Sequence, residues 1–168
     1  MKKTVFMLAT VAAFLVSFCS CGGTTEKSTA ELLASPKNGW VLESAKSSPP
    51  YQMGNGEYVE DLLNGGYLLD YEKDDIIAFT TAGVQTINPG TLTDPEGYTE
   101  TRTYLWSLDK ADSTIIYMQV PFFYDDVQET CRILELTENV FRFNCTINDD
   151  DPAAKGTYTF TLQYVPAK

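Results

Sequence analysis

The chain has 168 residues with 12 Lys and Arg against 23 Asp and Glu, a formal charge of −11, and no histidine. Such acidity, with no basic stripe to offset it, sets nucleic acid aside as a partner. The missing imidazole removes Ser-His-Asp and Cys-His catalysis, the usual zinc sites and the facial-triad iron sites in one step.

Lys2 and Lys3 precede an apolar run from Thr4 to Phe18, which ends in Cys19-Ser20-Cys21-Gly22-Gly23. At about 15 residues the run is shorter than the ~20 that span a bilayer, and its charged front and small-residue exit are those of a cleavable bacterial lipoprotein signal. Processing needs a small residue just before the modified cysteine. Ser20 supplies one for Cys21, whereas Phe18 argues against Cys19. Residues 1–20 are expected to be removed and Cys21 lipidated, so that attachment to the membrane runs through this lipid. Losing Lys2 and Lys3 with no acid takes the charge from −11 to −13.

Residues 21–36 are rich in Gly, Thr, Ser, Lys and Glu and read as a flexible tether, with Leu32 and Leu33 placed to begin docking. Residues 37–168 are enough for one domain and too few for two. Asn38-Gly39-Trp40-Val41-Leu42 predicts a first strand. Ala45 to Gly66 reads as a long crossover or lid, because Ser47-Ser48-Pro49-Pro50 and Gly54-Asn55-Gly56 break regular structure. Within it, Glu57 to Asn64 predicts a short helix stopped by Gly65-Gly66.

From Asp74 onward strand follows strand. Ile76–Thr80 and Val84–Asn88 flank a turn at Ala82-Gly83, and Thr101–Leu108 turns at Asp109–Ser113 into Thr114–Val120. Cys131–Leu136 turns into Val140–Ile147, and Thr157–Val165 alternates most cleanly, with Tyr158, Phe160, Leu162 and Tyr164 on one face. With the Trp40 strand this makes eight. Antiparallel hairpins with one apolar face each close most economically into an eight-stranded up-and-down barrel, which removes exposed edges. A β-sandwich is the alternative.

Cys131 and Cys145 are the cysteines left after export, and two on one hairpin of an exported chain are candidates for a disulfide. Register decides. A three-residue loop at Thr137–Asn139 sets Cys131 opposite Cys145 but turns Glu135 toward the Phe141 and Phe143 face. A two-residue loop at Glu138-Asn139 pairs Glu135 with Arg142 but sends the cysteines to opposite faces. A bulge reconciles the two.

The order of motifs carries a resemblance. A lipoprotein cysteine, Gly39-Trp40, Glu72-Lys73-Asp74-Asp75 before an Ile-Ile-x-Phe strand, Trp106-Ser107-Leu108 and Ile133-Leu134-Glu135-Leu136-Thr137 together resemble the small lipocalin-like lipoproteins of the Bacteroidetes type. The resemblance covers most of residues 38–147 and implies a calycin-type barrel; most members of the group have no assigned activity. Its surface-exported members carry an acidic stretch after the cysteine, whereas here Glu26 is offset by Lys27, which points to the periplasmic face of the outer membrane. Asp112-Ser113-Thr114 is similar to the O-glycosylation acceptor of such bacteria, with Ser113 as the residue modified.

Other motifs have bland readings. Ser107-Leu108-Asp109-Lys110 matches the Ser-x-x-Lys of serine acylases, but those need the serine at a helix start and this one ends a strand. Asp149-Asp150-Asp151 with Asp125-Asp126 lacks the alternating ligands and central glycine of a calcium loop, and acidic loop tips are usually just solvated. No metal centre and no cofactor is expected, and no catalytic set of residues.

The aromatic residues leave two readings open. Trp40, Phe79, Tyr104, Trp106, Phe141, Phe143, Tyr158 and Phe160 should mostly point inward, and an eight-stranded barrel is just wide enough either to be filled by side chains or to hold one small ligand. In the second case Trp40, Phe79, Tyr104, Trp106, Tyr158 and Phe160 line the pocket, with Tyr51, Met53 and Tyr58 closing it from the 45–66 segment. The corresponding functions are a non-enzymatic carrier or sensor of a small apolar or amphipathic ligand, and an accessory lipoprotein whose packed barrel docks on another envelope protein.

Overall fold

The computed structural model describes residues 26–92, 99–123 and 127–168. The signal segment, Cys21 and the Asp125-Asp126 pair lie outside these. Among the described residues no helix is long and apolar enough to cross a membrane.

The described chain opens on a short helix, α1 (Thr29–Leu33). Ser28 caps it reciprocally: its hydroxyl accepts from the Glu31 N–H, and the Glu31 carboxylate accepts from the Ser28 N–H at 2.8 Å. Of the two leucines placed to dock, Leu33 is the buried one, and its carbonyl accepts the Trp40 indole N–H at 2.8 Å. The helix is thereby fastened to the start of the first strand.

The strands form a nearly closed antiparallel barrel. They are β1 (Trp40–Gln52), β2 (Tyr58–Asp61), β3 (Ile76–Phe79), β4 (Val84–Asn88), β5 (Arg102–Leu105), β6 (Ser107–Leu108), β7 (Ile115–Met118), β8 (Glu129–Leu136), β9 (Phe141–Asp149) and β10 (Gly156–Pro166). Neighbours run in the order β5-β4-β3-β1-β10-β9-β8-β7-β6, and β2 pairs only with β1. Apart from the tab made by β2, sequence neighbours are spatial neighbours, and the first and last strands meet. That is an up-and-down barrel, as the period-two pattern predicts.

Alternation dictates the interior. Trp40 and Leu42, Ile77 and Phe79, Gln85 and Ile87, Ile116 and Met118, Phe141, Phe143 and Cys145, and Tyr158, Phe160, Leu162 and Tyr164 are all buried, while their neighbours along each strand are more open.

Three expectations need correction. The helix at Glu57–Asn64 is absent: Gly54-Asn55-Gly56 makes a hairpin turn, with Met53 N–H donating to Glu57 O at 2.7 Å and Gly56 at φ +87°, and the chain returns as β2 with Val59 inward. The helix-like polarity is used by a turn instead. One carboxylate oxygen of Asp61 accepts from both Leu63 N–H and Asn64 N–H.

Secondly, the 45–66 segment is not a detached lid, because β1 runs through it. Pro49 and Pro50 fall past the last pair of β1 with β10, Ser48 with Thr159, and inside the register shift that separates Lys46–Asp61 from Tyr51–Val59 in its pairing with β2. No ladder bond is asked of either proline there.

Thirdly, Thr101–Leu108 is not one strand. It breaks at Trp106, whose backbone N–H donates to Gly83 O at 2.9 Å and whose indole N–H donates to Thr80 O at 3.1 Å. Beyond that point the chain leaves β4 and joins β7, so β5 and β6 flank a seam with no ladder between them. Glutamine side chains span it. Buried Gln85 donates to Gln119 O at 2.7 Å and accepts from Gln119 N–H at 3.0 Å, imitating a ladder pair, and Gln128 donates to Leu105 O and Tyr117 O.

A bulge settles the β8–β9 hairpin. Leu136 faces Phe141, Glu135 faces Arg142, and Thr137 N–H donates to Val140 O, which is the two-residue turn. The register then shifts between Ile133 and Glu135, so that Cys131 nevertheless stands opposite Cys145. Leu134 is the extra residue and is exposed.

Candidate functional site: the mouth of the barrel

The strand directions put the starts of β1 and β9 and the end of β10 at one end, beneath α1, and the end of β9 and the starts of β8 and β10 at the other. Rings fill the first end. Phe141 lies 5.9 Å from Trp40, 5.9 Å from Phe79 and 4.8 Å from Phe143, Phe79 lies 5.5 Å from Trp106, and Phe143 stacks on Tyr164 at 5.9 Å and 9°. All six are buried.

At the other end rings surround a space instead. Tyr51, carried there by the extension of β1, lies 4.9 Å from Tyr67 and 4.8 Å from Tyr158; Tyr67 lies 6.4 Å from Phe122, and Phe122 lies 5.0 Å from Phe123. Phe160 packs beneath Tyr67 and Phe123 as a floor. Above it is a cavity of about 610 Å³ lined by Tyr51, Tyr67, Phe122, Phe123 and Ile147, with Glu129, Thr146, Asn148 and Asp149 as its polar groups. Phe122 and Phe123 divide this cavity from a second compartment of about 190 Å³, lined also by Tyr71, Glu72, Asp75, Glu100 and Arg102.

The polar groups are positioned by their own elements. Asp149, at the end of β9, accepts the Tyr51 hydroxyl at 2.7 Å and the Asp151 N–H at 2.8 Å, so the acidic run is tied into the turn and the mouth. Partial burial pushes the Glu129 carboxyl above the ordinary range. Asp75 is pushed up to about 6, first by burial and then by Asp74 and Glu72, against the pull of the Arg102 guanidinium at 3.3 Å. Among the described residues no group of three or more Cys, Asp and Glu is arranged to hold a metal ion.

The expected ligand-contacting residues are distributed unevenly. Trp40, Phe79 and Trp106 belong to the filled end and border neither compartment; Tyr158 and Phe160 lie beneath the cavity; Tyr104 is half-buried on β5; Tyr58 points out of β2 and is 69% exposed. Met53 is partly buried against the core. Tyr67, Phe122 and Phe123 line the cavity from loops, which strand alternation does not reach, whereas Glu129 continues the inward face of β8 and Ile147 and Asp149 that of β9. The signal available is Pro121-Phe122-Phe123, an aromatic pair placed just after a strand where a turn should be polar.

The remaining sequence candidates have clear places. Ser107 is in β6 and Lys110 in the turn after it, so no helix start presents the serine. Ser113 is exposed at the tip of the β6–β7 turn, where Asp112 accepts from the Thr114 N–H and hydroxyl. Cys131 and Cys145 are buried free thiols; the hydrogen bond Cys131 shares with Cys145, then burial, push it well above the ordinary thiol range. No protein-family model matches the chain, and no curated protein is similar enough in sequence to count as a relative.

Proposed function

We propose that this chain is a lipocalin-like lipoprotein of the outer membrane, lipidated at Cys21 and facing the periplasm, whose barrel takes a small apolar or amphipathic molecule at its mouth without reacting with it. The observation that carries this reading is the cavity of about 610 Å³ walled by four aromatic rings and supplied with a few polar groups. Its size lies within the ~300–1,000 Å³ usual for small-molecule sites, and burial of an apolar surface there supplies the driving force. An apolar fluorescent dye should bind the purified protein saturably at one per chain. Absence of saturable binding at micromolar dye would leave the accessory reading, in which Leu105, 72% exposed beside the seam, meets another envelope protein.

The anchor has its own test. Cys21→Ser should release the protein from salt-washed membranes; a variant that still pellets is held by something other than the lipid. Ser113, exposed at its turn tip, suits O-glycosylation, and a mass increment lost on Ser113→Ala would identify it.

A further inference from the structure

We infer that the ligand taken at the mouth is an organic cation, an alkyl- or arylammonium with an apolar body; the inference rests on the ligand-binding reading above and deepens it. The cavity brings the rings of Tyr51, Tyr67, Phe122 and Phe123 together with the side chains of Glu129 and Asp149, and no lysine or arginine is among its described lining residues. Ring faces carry the negative lobe of the aromatic quadrupole and attract an ammonium within about 6 Å. The Tyr51 hydroxyl is donated to Asp149 at 2.7 Å, which leaves that ring more electron-rich and holds the carboxylate at the wall.

Glu129 discriminates among ligand classes. It is half-buried, it takes part in no ion pair among the described residues, and burial is what raises its carboxyl. A neutral apolar guest would strip more water from this group and return nothing, which costs free energy. An anion would meet the two carboxylates, which carry its own sign. A cation repairs the defect, because it supplies Glu129 with the counter-charge that no described residue provides. The acidic molecule as a whole also draws cations toward the mouth. Arg102 belongs to the other compartment, where it is engaged with Asp75 across the Phe122-Phe123 divider.

The test compares isosteres. Phenyltrimethylammonium and tert-butylbenzene have nearly the same shape and differ in charge, and benzoate reports the opposite sign. Titrated calorimetrically into the purified protein at low ionic strength, the cation should bind at one per chain at least about tenfold more tightly than the neutral isostere. Glu129→Gln, which keeps the shape of the side chain, should reduce that preference to about threefold or less, and Asp149→Asn should reduce it further. Equal or tighter binding of tert-butylbenzene, or tighter binding of benzoate, would overturn the cation and leave an apolar-ligand site standing. A preference untouched by both variants would place the cation elsewhere and overturn the assignment to this cavity. If none of the three compounds binds and the apolar dye does not either, the ligand-binding reading falls as well.

Discussion

The two ends of this barrel use the same kind of side chain for opposite purposes. Beneath α1, Trp40, Phe79, Trp106, Phe141, Phe143 and Tyr164 pack ring against ring and are all buried; at the mouth Tyr51, Tyr67, Phe122 and Phe123 stand around a space, half-buried, over buried Phe160 and Tyr158. Strand residues of consecutive ladders converge at the filled end, so each ring has partners on three sides. At the mouth two of the rings come from the loop after β7 and one from the loop after β2, and all three stay half-buried. An aromatic residue thus becomes core or wall according to whether strands or loops supply its neighbours.

The sharpest way to break this contrast is to remove a ring from the filled end. Phe141→Ala would leave a void among Trp40, Phe79, Phe143 and Tyr164, and large-to-small changes at fully buried aromatics cost about 3–5 kcal/mol. Denaturant melts should show that loss, while dye binding at the mouth, measured where the variant is still folded, should keep its affinity. Lost affinity in a folded Phe141→Ala protein would mean that the two ends are one unit.

Asp75 sits on the boundary. It lines the smaller mouth compartment, and its charge adds to burial, the larger cause, in pushing up the phenol of Tyr164 in the filled end. Its carboxyl titrates near 6 in the folded protein, against the ordinary 3.8. Between those values the folded state holds a proton the unfolded state lacks, so this group adds stability as pH falls from 7 to 4 and removes it as pH rises through about 6. The full difference corresponds to about 3 kcal/mol. Asp75→Asn should be the more stable protein at pH 8 and should flatten the pH 4–7 portion of the stability curve; an unchanged curve would show that Arg102 already compensates the buried charge.

How much of this was legible depends on period two. Every strand that alternates was readable, and so was the β8–β9 conflict, since the opposed cysteines and the Glu135–Arg142 pair demanded incompatible registers unless one residue bulged; Leu134 is that residue. The break at Trp106 was invisible because Tyr104, Trp106 and Leu108 keep facing inward while the hydrogen-bonding partner changes from β4 to β7. The mouth was harder still. Tyr67, Phe122 and Phe123 sit on loops, where no period exists to assign a face, and β1 continues past two prolines that ordinarily argue against a strand.

The seam offers a smaller test. Gln85→Ala removes both side-chain bonds to the backbone of Gln119, leaving a buried N–H and carbonyl without those partners at a cost of about 1–3 kcal/mol. The Gln119 amide should exchange with solvent markedly faster than in the parent protein, while the Ile77 amide in β3 stays protected. Uniform loss of protection would instead mean global destabilisation, with no local role for the glutamine.

The smallest effect on stability is expected at the divider, and it is the most informative about the mouth. Phe122 is half-buried, touches Tyr67 and Phe123 at the margin of the core, and carries no ladder bond of a strand, so Phe122→Ala should cost about 1 kcal/mol, well below the loss at a fully buried ring. The ring nonetheless stands between the 610 Å³ and 190 Å³ compartments. Taking it away removes one wall from each and joins them. A small dye should therefore lose affinity by about tenfold, having lost a ring contact, while a longer amphipathic dye that the divider excludes in the parent protein should gain. A change of size preference with little change in melting temperature is something a packed plug cannot produce. If Phe122→Ala destabilises the fold as much as Phe141→Ala does, the mouth is core after all, and the distinction between the two ends of the barrel disappears.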